Sequence, residues 1–396
     1  MLEKIKNKNK IRLLRYVYYD HTNDIPEIDW RLIHEKNNIF LSLKYLKTLE
    51  NTLSDTIRFK YILFYDRNTP VGFAAVQLIK FESSQLKIQE FPCRISDTIK
   101  NKFIKNLDVR VLICGNLFSC GEHGFIYNPN RVSSKIAFES LSIALREIRK
   151  NESSDKPSFI LLKEFWPESF VHSDNCKQHD FREFKIDVNM VLKIKEEWHT
   201  FDDYMASLKT KFRTRVKNVF KKASPITTTN FTAQDISTFD TEINKLYLSV
   251  IEKADFKIGK LNASTFRDLK IALGQAFIFK GYFLDNKLVG FTTSFVLNEA
   301  IDANHIGIDY EYNKSHAIYQ KMLYDYVELA ISKRVNELRL GRTAEIIKSS
   351  VGAKPVEMKL YVRHGNSISN TLLKPIIELI SPNEYEIRNP FKLQVN

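Results

Sequence analysis

Two stretches of similar sequence decide the fold of this chain. Residues 61–76 read YILFYDRNTPVGFAAV, and residues 282–295 read YFLDNKLVGFTTSF. Each has a β-rich run, a polar turn that begins at Asp66 or Asp285, and the triplet Val-Gly-Phe at the start of a second β-rich run. This pattern predicts a β-hairpin in each place. Because one such hairpin is common but two matching ones are not, the pair indicates an internal duplication.

A second pair of matching segments extends the duplication. Residues 124–131 read GFIYNPNR and residues 307–314 read GIDYEYNK, so both follow the pattern Gly-x-x-Tyr-x-x-Asn-(Arg/Lys). A helical pattern follows each segment, and a short apolar strand follows each helix, at residues 159–162 and 338–340. The apolar helical positions are Ala137, Leu141, Ala144, Leu145 and Ile148 in the first copy and Tyr319, Met322, Leu323, Tyr326 and Ala330 in the second.

The order of elements in each copy is helix, hairpin, strand, helix, strand, short helix and last strand. This order predicts an α/β (α+β) fold of two tandem units, each a mixed, partly antiparallel sheet flanked by helices. We expect the boundary near residues 196–200, after a strand over 187–194, which gives units of residues 1–197 and 198–396. Because no flexible linker separates them, we expect the units to share an interface.

The composition is that of a globular protein with an excess of positive charge. The chain has 396 residues, of which 43% are hydrophobic, and a net charge of +13. This length predicts two or three domains. The charge has two interpretations of equal weight. One is a basic surface that is merely solvated, and the other is an anionic partner such as an acidic carrier protein, tRNA, a nucleotide-linked sugar or an anionic membrane face.

Several classes of function find no support in the sequence. The cysteines Cys93, Cys114, Cys120 and Cys176 form no CxxC pair and no zinc pattern with histidine, so we expect free thiols and no metal. No P-loop, GxSxG or HExxH motif argues for an ATPase or hydrolase. With no secretory signal and no long apolar segment, we expect a cytoplasmic location, with peripheral contact at the inner membrane face as a further option.

A basic amphipathic helix is predicted to open the second unit, over residues 201–222. Its apolar stripe consists of Phe201, Tyr204, Leu208, Phe212, Val216 and Phe220. The lysines and arginines between these positions either face solvent or bind phosphate or carboxylate groups. Because a guanidinium binds such groups with two parallel hydrogen bonds, Arg213 and Arg215 are the better binding candidates.

These features together resemble the GNAT acyltransferase superfamily, and more closely its double-GNAT Fem-type and BioF2-like branch. The resemblance covers most of residues 40–365 and is carried by residues 201–217, 285–291, 305–310 and 338–355. It implies an N-acyltransferase that moves an acyl group from a thioester donor to a primary amine, long-chain lipid amines included. The donor would be acyl-CoA or an acyl carrier protein, with no metal and no tightly bound cofactor.

Two alternatives stay open beside this implied activity. The first is a Fem-type peptidyltransferase, which adds an amino acid from aminoacyl-tRNA to a cell-wall precursor. Such enzymes commonly carry a long helical hairpin in the second unit, and residues 223–281 are too short and mixed for one. The second alternative is a non-catalytic module whose doubled fold binds an anionic partner.

One local match bears on mechanism. Many GNAT enzymes have a short helix of the form Ala-x-x-(aromatic)-Tyr-x-x-x-Gly-Phe, whose Tyr protonates the leaving thiolate. Residues 344–353 read AEIIKSSVGA, which places Lys348 at the Tyr position. A lysine here protonates a leaving group or stabilises an oxyanion, unless it is simply a surface residue. Nearby cations such as Arg342, which is also a binding candidate, would lower its pKa.

The chain departs from ordinary GNAT enzymes at the loop that binds the CoA pyrophosphate. That loop is rich in glycine because the backbone must approach the phosphates closely. The corresponding residues 127–134 and 309–316 contain no glycine. The donor is therefore expected to be held differently, or to be a carrier protein or an aminoacyl-tRNA.

Two further clusters contain candidate side chains. His305 and Asp309 lie four apart on the predicted central strand and would share a face, as expected of a base and its carboxylate partner, with Tyr310 beside them as a binding residue. In the first copy, Glu122 and His123 lie between glycines and bind the acceptor or serve the loop structurally. Each of these residues, taken singly, is otherwise an ordinary polar residue at a strand end or loop.

Overall fold

The computed structural model describes residues 13–33, 38–81, 109–152, 156–184, 188–253, 259–371 and 386–392. The helices are α1 (Glu27–Ile33), α2 (Leu43–Leu53), α3 (Ser134–Asn151), α4 (Phe170–Ser173), α5 (Phe201–Ser207), α6 (Thr210–Lys222), α7 (Ala233–Thr238), α8 (Asp240–Ile251), α9 (Ala263–Leu273), α10 (Tyr310–His316), α11 (Ile318–Ser332) and α12 (Glu345–Ser350). No helix of the described ranges is long and apolar enough to cross a membrane.

The strands form two separate sheets. The strands are β1 (Arg15–Tyr19), β2 (Arg58–Asp66), β3 (Thr69–Phe81), β4 (Val109–Cys114), β5 (Phe125–Tyr127), β6 (Phe159–Phe165), β7 (Arg182–Phe184), β8 (Val188–Lys193), β9 (Thr227–Asn230), β10 (Phe277–Leu284), β11 (Lys287–Val296), β12 (Ala300–Ile308), β13 (Glu337–Arg339), β14 (Lys354–Glu357) and β15 (Lys359–His364). The first sheet has the order β1-β2-β3-β4-β6-β15-β7, with β5 paired to β3, and the second has the order β14-β8-β13-β12-β11-β10-β9.

The duplication is confirmed by equivalent elements in the two sheets. The hairpins β2-β3 and β10-β11 form at the two matching stretches. The second hairpin turns through Asp285 and Asn286, both at positive φ (48° and 65°), as tight hairpin turns require. Each sheet also contains one parallel pair, β4 with β6 and β12 with β13. The predicted helices α3 and α11 connect these pairs, because parallel neighbours need a crossover.

Strand allocation does not follow the expected boundary between residues 197 and 198. β15, from the second half of the chain, is inserted between β6 and β7 of the first sheet. In return β8, from the first half, pairs with β13 and β14 of the second sheet. Each sheet is thus completed by a strand from the other half. Below, "first half" and "second half" mean residues 1–197 and 198–396.

The two halves share one apolar core. The ring of Phe295 on β11 contacts Phe40 and Tyr45 of the first half, with centroids 4.8 and 5.8 Å apart. All three are buried in a single cluster that also contains residues of α8 and α9. Aromatic pairs at such distances add to the free energy gained by burial. The halves therefore pack against each other through this shared apolar cluster.

The predicted basic helix over residues 201–222 is in fact two helices, α5 and α6. The break falls at Leu208, whose backbone is extended and forms a β-bridge with Phe391. The amide of Lys209 donates to the carbonyl of Pro390 at 2.8 Å. The prediction of one helix was wrong because residues 386–392 compete for these backbone groups, a long-range pairing that helical spacing does not reveal.

Candidate active site

A gap opens in the second sheet where its parallel strands separate. The last paired residues of β12 and β13 are Asp302 and Arg339. β12 continues to Ile308, whereas the chain after β13 turns to β8, so that the Leu340 amide donates to the Met190 carbonyl at 2.8 Å. A cavity of about 320 Å³ occupies the space between the diverging strands.

A β-bulge in β12 shapes one wall of this cavity. Between Thr292 and Ser294 of β11 the register shifts, so Asn304 and His305 both face the single residue Thr293. The Thr293 hydroxyl accepts from the His305 amide at 2.8 Å and donates to the His305 carbonyl at 3.1 Å. Bulges redirect side chains near functional sites, and here the bulge places Asn304 and His305 among the lining residues.

The cavity lies between the two halves of the chain. The first half contributes the loop over residues 117–120 and Lys163 of β6. The second half contributes β12, α8, α11, the loop over residues 340–343, and Lys348 of α12. Neither half alone encloses this space, so the shared interface expected from the sequence is where the site is built.

Lys348 reaches the cavity because the chain turns sharply before α12. Thr343 and Ala344 both adopt positive φ (60° and 54°), and the helix begins directly after them. The Lys348 side chain is only 5% exposed, and its ammonium donates to the carbonyl of Arg342. Burial lowers the pKa of Lys348 to about 8. The expectation that Arg342 would lower it is corrected, because the Arg342 guanidinium turns away to pair with Glu164.

A buried ionic cluster joins β6 to the second half. Glu164 is fully buried and accepts from the Gly121 amide at 2.8 Å. Its carboxylate pairs with Lys163 at 3.1 Å and with the Arg342 guanidinium. Lys163 also donates to the Ser119 carbonyl at 2.9 Å, and burial lowers its pKa to about 7. Arg342 is therefore a bridge between the halves that also lines the cavity.

Sequence reasoning missed Lys163 and Glu164. Their signal was present, because strand β6 reads FILLKEF and places two adjacent charges at the end of an otherwise apolar run. A charged pair in a buried strand needs partners from elsewhere in the fold, and such positions are often functional.

β12 places three polar side chains on the cavity wall. Asp302 is buried, and burial raises its pKa to about 7. Burial lowers the pKa of His305 to about 4, so its ring is neutral at pH 7. Asp302 Oδ2, Asn304 Oδ1 and His305 Nε2 have no hydrogen-bond partner among the described residues. These three atoms are themselves buried, although their residues line the cavity.

The expected pairing of His305 with Asp309 is not found. β12 ends at Ile308, and Asp309 caps α10, with its Oδ1 accepting from the Glu311 amide at 3.1 Å. Its other oxygen pairs with Lys287 at 3.1 Å. Tyr310 lies 37% exposed beneath the Lys253 ammonium. The argument that the two residues share a face failed because the strand stops before Asp309. Asp309 and Tyr310 do not line the cavity, whereas His305 does.

Asp309→Ala tests this assignment. We expect the transfer rate proposed below to stay within about twofold, while the free energy of unfolding falls by about 1 kcal/mol because a helix cap is lost. Thermal melting and turnover of the same preparation measure both quantities. A loss of turnover with normal melting would indicate that Asp309 takes part in the reaction.

Glu122 and His123 lie behind the cavity rather than in it. The Glu122 carboxylate bonds to Ser169 and to the backbone of Trp166. The His123 ring packs 4.1 Å from Phe40, and its Nε2 lies 3.1 Å from the Cys120 carbonyl. Their loop does line the site, through its earlier residues 117–120. A role of this loop in binding the acceptor stays a prediction, and the His123 ring packs against Phe40.

The two arginines of the basic helix have different environments. Arg215 lines a second, open groove of about 620 Å³ beside the start of α11. Three lysines, Lys211, Lys222 and Lys314, line the same groove, and no acidic residue of the described part of the chain does. Arg213 instead donates to the Leu208 carbonyl at 3.3 Å. Only Arg215 is placed where an anion would meet several cations.

The described residues form neither a metal-binding cluster nor a disulfide. Among the described residues, no group of three or more His, Cys, Asp or Glu could hold a metal ion. Cys114, Cys120 and Cys176 are free thiols, of which Cys120 is half-buried and lines the cavity. Cys93 lies outside the described residues.

Comparison with known proteins identifies the fold. No protein-family model matches the sequence, and no curated protein has a significantly similar sequence. Among solved structures, a tandem GNAT protein from the clavulanic acid biosynthesis pathway superposes with a TM-score of 0.53 at 10% identity, over 89% of this chain and 99% of the other. FemX superposes with a TM-score of 0.52 at 12% identity, over 92% of this chain and 100% of the other. The chain therefore has the fold of the tandem GNAT proteins, with two GNAT-like units in one polypeptide.

Proposed function

We propose that the protein is an N-acyltransferase that moves an acyl group from a thioester donor to a primary amine in the cavity between its halves. The observation that carries this proposal is Lys348. It is a buried lysine with a pKa of about 8, beside the gap between the parallel strands of a tandem GNAT fold. A proton donor at such a position is useful because its pKa lies close to the working pH.

Lys348 supplies the positive charge and the proton that the reaction needs. Its ammonium has three N–H donors, of which Arg342 uses one. The others are available to the carbonyl oxygen of the donor, which becomes an oxyanion on attack, and afterwards to the leaving thiolate. A charged donor in a site shielded from water stabilises such developing charge strongly.

The basic groove is the proposed site for the phosphates of the donor. It lies beside α11, the helix that connects β12 to β13 on the edge of the gap. Arg215 and the three lysines supply the charge that glycine-rich backbone supplies in ordinary GNAT enzymes. Acyl-CoA and the phosphopantetheine arm of a carrier protein both present such phosphates, and the groove suits either.

Aminoacyl-tRNA is the second candidate donor, because an open groove with four cations also suits a polyanion. FemX, one of the structural relatives named above, gives this option weight through its fold alone. Against it, the described residues between 223 and 281 form β9, the short helices α7, α8 and α9 and the start of β10 rather than a long helical hairpin.

The volume of the cavity limits the group that reacts there. A water molecule occupies about 30 Å³, so about 320 Å³ holds roughly ten non-hydrogen atoms. A short acyl group and the head of an amine fit together. A long-chain lipid amine, with peripheral contact at a membrane face, would leave most of its chain outside.

A donor panel tests the proposal. Acetyl-CoA, palmitoyl-CoA, palmitoyl carrier protein and alanyl-tRNA are each incubated with the protein and n-butylamine, and amide products are detected by mass spectrometry. Amide from a thioester is expected. Amide from alanyl-tRNA alone would favour the second candidate, and no amide from any donor would refute acyl transfer to this amine class.

The same assay yields a pH prediction. The ammonium form of Lys348 is the working form, and its pKa is about 8. We therefore expect the rate to decline as the pH rises through about 8, because the lysine loses the proton it must donate. A rate that is flat to pH 10 would contradict this role.

A further inference from the structure

We propose that the outer face of α6 is a docking surface for an acidic acyl carrier protein, which delivers the acyl group as a thioester. The outer face means Thr210, Lys217 and Lys221, which lie on one side of the helix because they are spaced by seven and four residues. This inference rests on the proposed function and names the carrier of its donor. It is carried by exposed cations that lie beside the donor groove but outside it.

The charge of α6 and its flanking residues has a single sign. Residues 204–234 contain seven lysines and arginines and no aspartate or glutamate. Within the part of the chain that the structure describes, no ion pair joins any of these seven cations to a carboxylate. Lys217 and Lys221 are both exposed. A concentrated positive surface of this kind attracts and orients an anionic partner.

The cations of α6 point in two directions, and a small donor cannot contact both sets. Arg215 and Lys222 line the groove, whereas Lys217 and Lys221 do not. Because each helical residue turns by about 100°, the outer face lies roughly a quarter turn from the side that lines the groove. Phosphates bound in the groove therefore leave the outer lysines without an anion. A larger anionic partner, which covers the helix from the groove to the outer face, contacts both sets.

The groove lies between this surface and the cavity. Ala317 and Gln320 at the start of α11 line the groove, and Tyr319 between them lines the cavity. The two spaces are thus separated by a single turn of one helix. An acyl carrier protein is acidic and holds its acyl group on a phosphopantetheine arm. Once the carrier is docked on α6, its arm would follow the groove and bring the thioester to Lys348.

The side chains of the outer face favour an acidic protein over a membrane or an RNA. A peripheral helix binds a membrane by burying large apolar side chains beside its lysines, and the described side chains of α6 include no exposed large apolar residue. RNA-binding surfaces stack bases on aromatic and arginine side chains, whereas the outer face has threonine and lysines. Lysines one helical turn apart suit the separate carboxylates of an acidic protein surface.

The double variant Lys217→Glu/Lys221→Glu tests the docking surface without altering the groove. Acetyl carrier protein and acetyl-CoA, which present the same acyl group on the same arm, are compared as donors to n-butylamine. We expect kcat/KM for acetyl carrier protein to fall at least about 20-fold, mainly through KM, because like charges then oppose the carrier. The kcat/KM for acetyl-CoA should stay within about twofold, because solvent and salt screen exposed charges outside the groove.

Two matched variants separate docking from general effects of charge. Lys44→Glu/Lys47→Glu reverses two exposed lysines on α2 and changes the net charge by the same amount. We expect this control to keep both activities within about threefold, because its lysines lie in the first half and away from α6. Lys217→Arg/Lys221→Arg preserves the charge and should retain turnover of acetyl carrier protein. Thermal melts show that each variant is folded.

The outcomes separate the docking surface from the proposed function. An unchanged kcat/KM for acetyl carrier protein in the charge-reversed variant would overturn the surface while acyl transfer stands. Amide from acetyl-CoA alone, or an equal loss with both donors, would overturn it as well. If the wild type forms amide from neither donor, the proposed function itself fails.

A binding measurement gives a readout without the reaction. Fluorescently labelled holo carrier protein, alanine tRNA and phosphatidylglycerol vesicles are each titrated with the wild type and with Lys217→Glu/Lys221→Glu. We expect the wild type to bind the carrier protein at least about tenfold more tightly than the variant does, with the difference lost near about 1 M salt. Tighter binding of the tRNA or the vesicles than of the carrier protein, weakened by the same variant, would assign the surface to that partner and overturn the inference.

Discussion

Replacement of Lys348 by methionine is expected to abolish acyl transfer and leave the protein folded. Methionine fills nearly the same volume but donates no hydrogen bond, so the oxyanion and the leaving thiolate lose their proton donor. Removing one such donor from an active site costs about 100- to 1,000-fold in rate. Stability should change little, because burial already disfavours the ammonium and the substitution removes that burden.

The matched control for Lys348→Met is Lys354→Met. Lys354 is an exposed lysine on β14, a few residues along the same chain. The substitution Lys354→Met removes one positive charge from the same half. It therefore reproduces any general effect of the protein's charge on the rate at which the protein meets the donor. Single-turnover rates and thermal melts of both variants show whether the loss of activity is specific to Lys348. Retention of more than a tenth of the wild-type rate by Lys348→Met would exclude Lys348 as the principal proton donor.

The second large effect is expected at Glu164. Glu164→Gln keeps the shape of the side chain but leaves Lys163 and Arg342 without their counter-charge in the interface. Breaking a buried ion pair from one side costs roughly 3 kcal/mol or more, since the remaining charges stay desolvated. The loss appears as a lower urea midpoint with an unchanged slope. Because Glu164 also binds the Gly121 amide, the cavity loop is expected to lose order as well.

An exposed pair on α1 provides the control for Glu164→Gln. Glu27 pairs with Arg31 at 2.6 Å, and both side chains are more than half exposed. Glu27→Gln removes the same charge in the same chemical way, but exposed pairs contribute well under about 1 kcal/mol. Similar urea midpoints for the two variants would mean that burial of Glu164 carries no special stability.

Local patterns predicted the parts of the fold that neighbouring residues determine. Both hairpins formed where a polar turn followed a β-rich run, because turn chemistry and strand alternation act over a few residues. The helices α3 and α11 formed where apolar spacing required them, and their predicted positions include the fully buried Leu141 and Met322. Long-range pairings lay beyond such patterns, which is why the exchange of β8 and β15 and the break at Leu208 were not anticipated.

The candidate site was predicted in part for the same reason. Lys348 was identified from a short motif, and it lies at the cavity, although its role stays a proposal. Asp309 was selected on the assumption that the strand continues as far as this residue, but the strand ends before it. Lys163 and Glu164 were overlooked because their importance comes from Arg342, which lies far along the chain. The burial of Asp302 depends on how two strands diverge, which the sequence does not show.

The exchange of strands between the sheets has a consequence for how the protein is made. Residues 1–197 leave the ribosome well before β15 is synthesised. Until residue 364 has emerged, β6 and β7 of the first sheet therefore lack the strand that lies between them. Pairings between such distant residues form slowly, and exposed strand edges invite association with other chains. The two GNAT-like units therefore complete their sheets together, and their site is assembled only after β15 has been synthesised. This arrangement ties the appearance of activity to the presence of strands from both halves.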